Sequence, residues 1–149
     1  MQGMQRALSA YGQAAETLAP LKQIVLLYDG AIRRIKEARQ AIELHRINDR
    51  HTAIEKASAI IDALHAALDH ERGGEIAVQL DRIYTYVSFR LQRVNLDDDA
   101  AICDELVARL GELRASWAQI ADVTGVASAP GKLPAGHGRA AAAGTTVTI

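Results

Sequence analysis

The sequence predicts an all-α protein, an antiparallel up-and-down four-helix bundle with a short N-terminal helical segment and a disordered C-terminal tail. Three observations carry this. Apolar residues make up 49% of the 149 residues, yet only six are aromatic, and Ala, Leu and Ile supply most of the rest, a balance that favours helix over sheet. Four segments place their apolar residues at steps of three and four. The breaks between these segments are short, which makes successive helices antiparallel neighbours.

The first element, residues 1–16, includes a weak helical stretch near Met4 to Ala15. The bundle is expected over 17–122. Its first helix carries Leu21, Ile24, Val25, Tyr28, Ile32, Ile35 and Ile42, with Pro20 in the first turn, where a missing N–H has no helical partner to lose. Asn48-Asp49 offers a turn and a cap before the second helix, built on Ile54, Ala57, Ile61, Leu64 and Leu68. Gly73-Gly74 is expected to end it as a left-handed cap. The third helix follows with Ile76, Leu80, Ile83, Val87, Leu91 and Val94. Asn95 to Asp99 breaks the chain again and sets carboxylates near a helix N-terminus, where the dipole favours them. The fourth helix carries Ile102, Leu106, Leu110, Leu113, Trp117 and Ile120. Residues 123–149 hold five glycines, two prolines and a four-alanine run without apolar periodicity, and are read as a flexible tail.

Composition excludes several functions. Lys+Arg 17 against Asp+Glu 18 is not the balance of a nucleic-acid binder, and the basic residues of the first and third helices are interleaved with acids. The longest apolar run not built of alanine, Ile24 to Tyr28, falls far short of the roughly 20 residues that span a bilayer. One cysteine, Cys103, allows no intrachain disulfide and suits a reducing compartment. Its neighbours Asp104 and Glu105 should raise the thiol pKa rather than activate it. The five histidines lack one-turn spacing, and Asp97-Asp98-Asp99 lacks the glycine and glutamate of a calcium loop. No nucleophile has a visible base partner. Neither an enzyme nor a metal or cofactor site is expected.

What remains is surplus apolar surface. Ile24 to Tyr28 covers more than one helical face, and Ile83, Tyr84, Tyr86, Val87 and Phe89 point to at least two sides. The N-terminal segment, the tail or a partner must cover such faces. Gly30, inside the first helix, costs about 0.5–1 kcal/mol relative to alanine; it is either a tolerated surface glycine or the site of close approach by another backbone.

An ordered set of motifs resembles the flagellin-specific secretion chaperones of the FliS family. It comprises Ala10-Tyr11, Ala19-Pro20, Leu27-Tyr28-Asp29-Gly30-Ala31, Gly73 to Ala77, Ile83-Tyr84-x-Tyr86 with Arg90-Leu91, Asn95-Leu96, and Ser116-Trp117-x-x-Ile120, over roughly Leu8 to Ala121. Each motif is weak alone, and the order makes the set specific. The chain departs from the family pattern at Ala19, Gln23 and Thr85. The resemblance implies a bacterial cytoplasmic bundle without catalytic activity. Its client would be the disordered C-terminal segment of flagellin, held against premature polymerisation and delivered to the export gate at FlhA. It also points to Ile24, Leu27, Tyr28, Gly30, Tyr84, Tyr86, Phe89 and Trp117 as containing the client-facing set, with Trp117 also on a seam. Leu8 and Tyr11 match the family's N-terminal apolar pair, tied to the export gate, in a segment able to fold over the empty groove as a lid. The alternative is a self-associating bundle unrelated to flagellin, with the surplus faces buried in a homodimer.

Overall fold

The computed structural model describes residues 18–128, together with Met4 and Arg6. Four helices follow in order: α1 (Leu18–Glu43), α2 (Ile47–Ala66), α3 (His70–Asp97) and α4 (Ala100–Ser128). Successive helices pack on one another and α1 closes on α4, so α1 faces α3, and α2 faces α4, across diagonals. This is the expected up-and-down bundle. The most extensive packing joins α1 to α2 and to α4; α3 and α4 meet least. Small residues explain the difference: Ala31, Ala38 and Ala41 on α1 and Ala53 and Ala57 on α2 are buried and let backbones approach.

The buried seams follow the periodicity with two differences: on α3 Tyr84 rather than Ile83 takes the step between Leu80 and Val87, and Val25, Ile32, Ile42, Leu68 and Ile83 are only partly buried at the edges of the core. Leu21, Ile24, Tyr28, Ala31 and Ile35 line α1; Ile54, Ala57, Ile61 and Leu64 line α2; Leu80, Tyr84, Val87, Leu91 and Val94 line α3; Leu106, Leu110, Leu113 and Trp117 line α4. Full burial of one such aliphatic side chain contributes about 1.5–3 kcal/mol. Met4 packs partly buried against this core. The rest of the expected N-terminal helix lies outside the described residues, as do Leu8 and Tyr11.

The helix junctions differ in three respects from expectation. First, α1 ends in a Schellman turn whose left-handed residue is His45 (φ 57°). Arg46 N–H donates to Ala41 C=O at 2.8 Å, and His45 N–H to Ile42 C=O at 3.1 Å. The second helix starts at Ile47, so Asn48 and Asp49 lie in its first turn, and Arg46 at the cap makes no side-chain hydrogen bond. Second, Gly73-Gly74 does not end α2. That helix stops at Ala66, Asp69 caps α3 by accepting from Arg72 N–H at 3.1 Å, and Gly74 (φ 49°, ψ −122°) kinks α3 one turn later. A side chain at that φ/ψ is strained, so glycine marks a bend rather than a stop. Third, α4 continues through Gly125 to Ser128, beyond the expected boundary at 122. Only 129–149 of the expected tail lies outside the described residues.

The α3–α4 junction falls later than the expected break at Asn95 to Asp99, because α3 continues through Asn95 and Leu96 to Asp97. Asp98 adopts the left-handed conformation (φ 57°), and Asp99 accepts from Ala101 N–H at 2.9 Å at the start of α4. Arg50 of α2 reaches Asp98 at 2.8 Å and Asn95 at 3.3 Å, tying α2 to this corner. Near the kink, Asp81 accepts from His65 (2.9 Å) and Thr85 (3.3 Å), and His70 lies 3.6 Å away. The His65 hydrogen bond holds the Asp81 carboxyl below its usual pKa.

His45→Gly relieves a left-handed side chain that costs about 1–2 kcal/mol, part of which the more flexible unfolded chain takes back. Urea denaturation should show a gain of about 0.5–1 kcal/mol. Gly74→Ala should show a loss of at least about 1 kcal/mol. Unchanged midpoints for both would contradict the assigned backbone geometry.

Candidate interaction surface

Four of the eight residues assigned to the client-facing set are fully buried: Ile24, Tyr28, Tyr84 and Trp117. They cannot touch a partner while the bundle is closed. Their place follows from the seams, on which all four fall at steps of three and four. Tyr28 of α1 and Tyr84 of α3 meet across the diagonal, their hydroxyls 2.7 Å apart in a shared hydrogen bond. Trp117 of α4 lies near enough for its indole N–H to favour the Tyr28 phenolate, without reaching hydrogen-bond geometry. His65 of α2 stacks on Tyr84 at 6.0 Å between ring centroids, tilted 54°. One level of the bundle thus joins all four helices. Burial pushes the Tyr28 pKa up to about 12, against the smaller opposing pull of Tyr84 and Trp117.

Gly30 is approached by a side chain of α2 rather than by another backbone: a Cβ there would stand 3.2 Å from Ile60 Cδ1. Leu27 beside it is half-buried. Asp29, between the two motif residues Tyr28 and Gly30, accepts from Arg114 Nε at 2.7 Å and Nη2 at 3.3 Å, a fork that ties α1 to α4.

Tyr86 and Phe89 face outward, 38% and 62% exposed. Tyr86 is held to α4, its hydroxyl donating to Glu105, which also accepts from Arg90 at 3.0 Å. The guanidinium groups of Arg109 and Arg90 lie 5.3 and 5.9 Å from the Tyr86 ring centroid. Hydrogen bonding to Glu105 raises the Tyr86 pKa, and the same bond lowers that of Glu105. Phe89 has no such anchor.

Sequence reasoning passed over several exposed apolar residues on the outer helix faces. Leu96 is 74% exposed, Leu26 67% and Val78 37%. Leu26 lies inside the run Ile24 to Tyr28 but on the side opposite the seam. Val78 and Leu96 lie on the outward side of α3. Counting turns away from the buried seam would have found all three.

Catalytic chemistry finds little to build on. Among the described residues, no cluster of His, Cys, Asp or Glu could hold a metal ion, and no helix is long and apolar enough to cross a membrane. Cys103 is buried, and its thiol is pushed up to about 11, chiefly by burial and then by Asp104. An open depression of about 330 Å³ at the α1–α2 turn is lined by Arg34, Glu37, Gln40, Leu44, Asp49 and Lys56, among others. Arg34–Glu37 and Arg46–Asp49 pair along its rim.

The family model for the flagellar protein FliS matches residues 4–124, which take in all four helices. The chain belongs to the FliS family. Among its relatives, the flagellar secretion chaperone FliSB of Pseudomonas aeruginosa is 42% identical over 98 residues, covering 66% of this chain and 78% of the relative. The flagellar secretion chaperone FliS of Salmonella typhimurium is 36% identical over 119 residues, covering 76% and 88%. That of Vibrio cholerae is 28% identical over 122 residues, covering 78% and 90%. In this FliS-family chain the segment Leu27 to Ala31 does structural work: Tyr28 fills the diagonal, Asp29 holds Arg114 and Gly30 admits Ile60.

Tyr84→Phe should cost about 1–3 kcal/mol by taking the partner from the buried Tyr28 hydroxyl. A double-mutant cycle with Tyr28→Phe should return a coupling of about 1 kcal/mol, the double variant losing less than the sum. The raised Tyr28 pKa also sets a pH dependence. The unfolded tyrosine ionises near about pH 10, while the folded one resists, so stability present below that pH is lost as pH rises toward 12. Tyr28→Phe should flatten that alkaline loss in thermal melts; an unchanged slope would refute the assignment.

Proposed function

We propose that this FliS-family chain is a flagellar export chaperone of the bacterial cytoplasm. It holds the C-terminal segment of flagellin, blocks premature polymerisation, and delivers flagellin to the export gate at FlhA. The observation that carries the reading is the family membership, with relatives named flagellar secretion chaperones at 36% and 42% identity.

The physics of the surface supports it. The bundle closes its own core and still leaves Leu26, Phe89 and Leu96 more than half exposed, as a surface that binds apolar partners would. A flagellin end that packs in a filament carries an apolar face and aggregates when free. Covering it on the outside of a closed bundle takes that face from water. Ordering a disordered client costs several kcal/mol, which keeps affinity moderate over a large interface and eases release. The activity is holding rather than turnover. Within the set read from sequence, Tyr86 and Phe89 on α3 and the half-buried Leu27 on the opposite side of the bundle are proposed to meet the client, Gly30 is taken up by Ile60 of α2, and Ile24, Tyr28, Tyr84 and Trp117 keep the bundle rigid from beneath. Leu8 and Tyr11, outside the described residues, are proposed to engage the export gate.

Isothermal titration calorimetry of the full chain with a C-terminal flagellin peptide should give a one-to-one complex. Tyr11→Ala should weaken capture by the cytoplasmic part of FlhA and leave peptide affinity unchanged. Absence of heat and of co-elution with the peptide would overturn the reading. Equal loss of both affinities would overturn the division of roles.

A further inference from the structure

Two one-turn pairs interlock between α3 and α4. Tyr86 and Arg90 stand four residues apart on α3, and Glu105 and Arg109 four apart on α4, so each pair shares a helix face. Glu105 accepts from both members of the α3 pair, the Tyr86 hydroxyl and Arg90 Nη2, the latter at 3.0 Å. Arg109 sets its guanidinium 5.3 Å from the Tyr86 ring centroid. Arg90 buries its Nε without a hydrogen-bond partner, so the Glu105 bond at Nη2 anchors it.

The cluster lies on the seam where neighbouring helices pack most sparsely. Polar contacts, rather than interdigitated apolar side chains, therefore fix the Tyr86 ring. The neighbouring exposed ring, Phe89, has no polar atom to be held by. Half-exposed ion pairs and hydrogen bonds of this kind contribute little to stability, so holding the fold together is not what the cluster chiefly supplies. What it does supply is order in a side chain that faces solvent. A ring already fixed loses little rotamer freedom when a partner covers it.

We propose that Glu105 is a positioning residue of the client surface: from α4 it fixes the Tyr86 ring of α3, so that the client meets a ring already in place. This rests on the reading of the chain as a flagellin chaperone with Tyr86 at the contact, and adds the residue that orders that contact. Glu105 acts through the Tyr86 hydroxyl and has no contact of its own with the client. Arg90, bound to the same carboxylate, keeps α3 and α4 at the spacing that the bond requires.

The test titrates a C-terminal flagellin peptide into the full chain by calorimetry, in a cycle of Glu105→Ala and Tyr86→Phe. Glu105→Ala should weaken binding about threefold or more when Tyr86 is present, and by less than about 1.5-fold in the Tyr86→Phe chain. Glu105→Gln keeps an acceptor for the hydroxyl and for Arg90, and should hold affinity within about twofold of wild type, as should Glu55→Ala on the exposed side of α2. A second readout needs no client. Glu105 holds the Tyr86 phenol above its ordinary pKa, while Arg90 and Arg109 pull it down. Ring signals of Tyr86, assigned by their loss in Tyr86→Phe, should therefore titrate at lower pH in Glu105→Ala than in wild type. Equal losses in both backgrounds would mean that Glu105 touches the client itself. Unchanged affinity with a shifted titration would mean that the ring needs no positioning. A Gln variant as weak as the Ala variant would assign the effect to charge. Each of these overturns the proposal and leaves the chaperone reading standing. Failure of the wild-type chain to bind, with the titration as stated, overturns the chaperone reading and the proposal with it, and leaves the Glu105 contact in place.

Discussion

The fold depends on a contact that spans the bundle rather than joining neighbours. In a ring of four helices, adjacent pairs pack through small and aliphatic residues, while the diagonal pairs meet least. Tyr28 and Tyr84 bridge one diagonal, hydroxyl to hydroxyl at 2.7 Å, with Trp117 and His65 closing the same level from the other two helices. Aromatic rings supply the reach, and the shared hydrogen bond makes burial of two hydroxyls tolerable. A shift of α1 against α3 would leave those polar atoms in an apolar interior, so the pair fixes register as well as distance.

The aromatic residues therefore divide by role. Among the described residues, those that fill the diagonal look inward, and the other two, Tyr86 and Phe89, sit on the outer half of α3. The α1 motif Leu27 to Ala31 divides in the same way. Its tyrosine serves the diagonal, its aspartate grips Arg114, and its glycine accommodates Ile60, so three consecutive residues set the position of α1 against all three other helices. A surface laid over so constrained an interior is held in one shape, which lowers the cost of ordering it on contact with a partner.

The seams were legible in the sequence because three-four periodicity is a property of the helix itself. The role of residues on those seams was less legible. Tyr28 and Trp117 fall on the expected seams yet also stand in the client-facing set, and Tyr84 reads as surplus because Ile83 also satisfies the three-four step; nothing in a linear pattern tells which ring will reach across the bundle. The junctions were obscured for a different reason. His45 and Asp98 take left-handed conformations usually left to glycine, so the sequence carries no mark of them, whereas the conspicuous Gly73-Gly74 is a kink inside α3. Leu96 was lost with the break assigned to Asn95 to Asp99. The helix in fact runs to Asp97, which sets Leu96 on the outward side of α3, 74% exposed. Surface function is hard to read from one sequence because exposed apolar residues are ordinary one by one, and meaning enters only when a helix aligns them.

The central claim is that a rigid interior supports an outward-facing recognition surface. Nuclear magnetic resonance of the isotope-labelled chain, with and without a C-terminal flagellin peptide, addresses it directly. The largest shift changes should fall on Val78, Phe89 and Leu96, while the ring signals of Tyr28, Tyr84 and Trp117 stay nearly where they were. Large changes at the buried rings, with the outer α3 signals unmoved, would mean that the client enters the bundle, and would contradict the account.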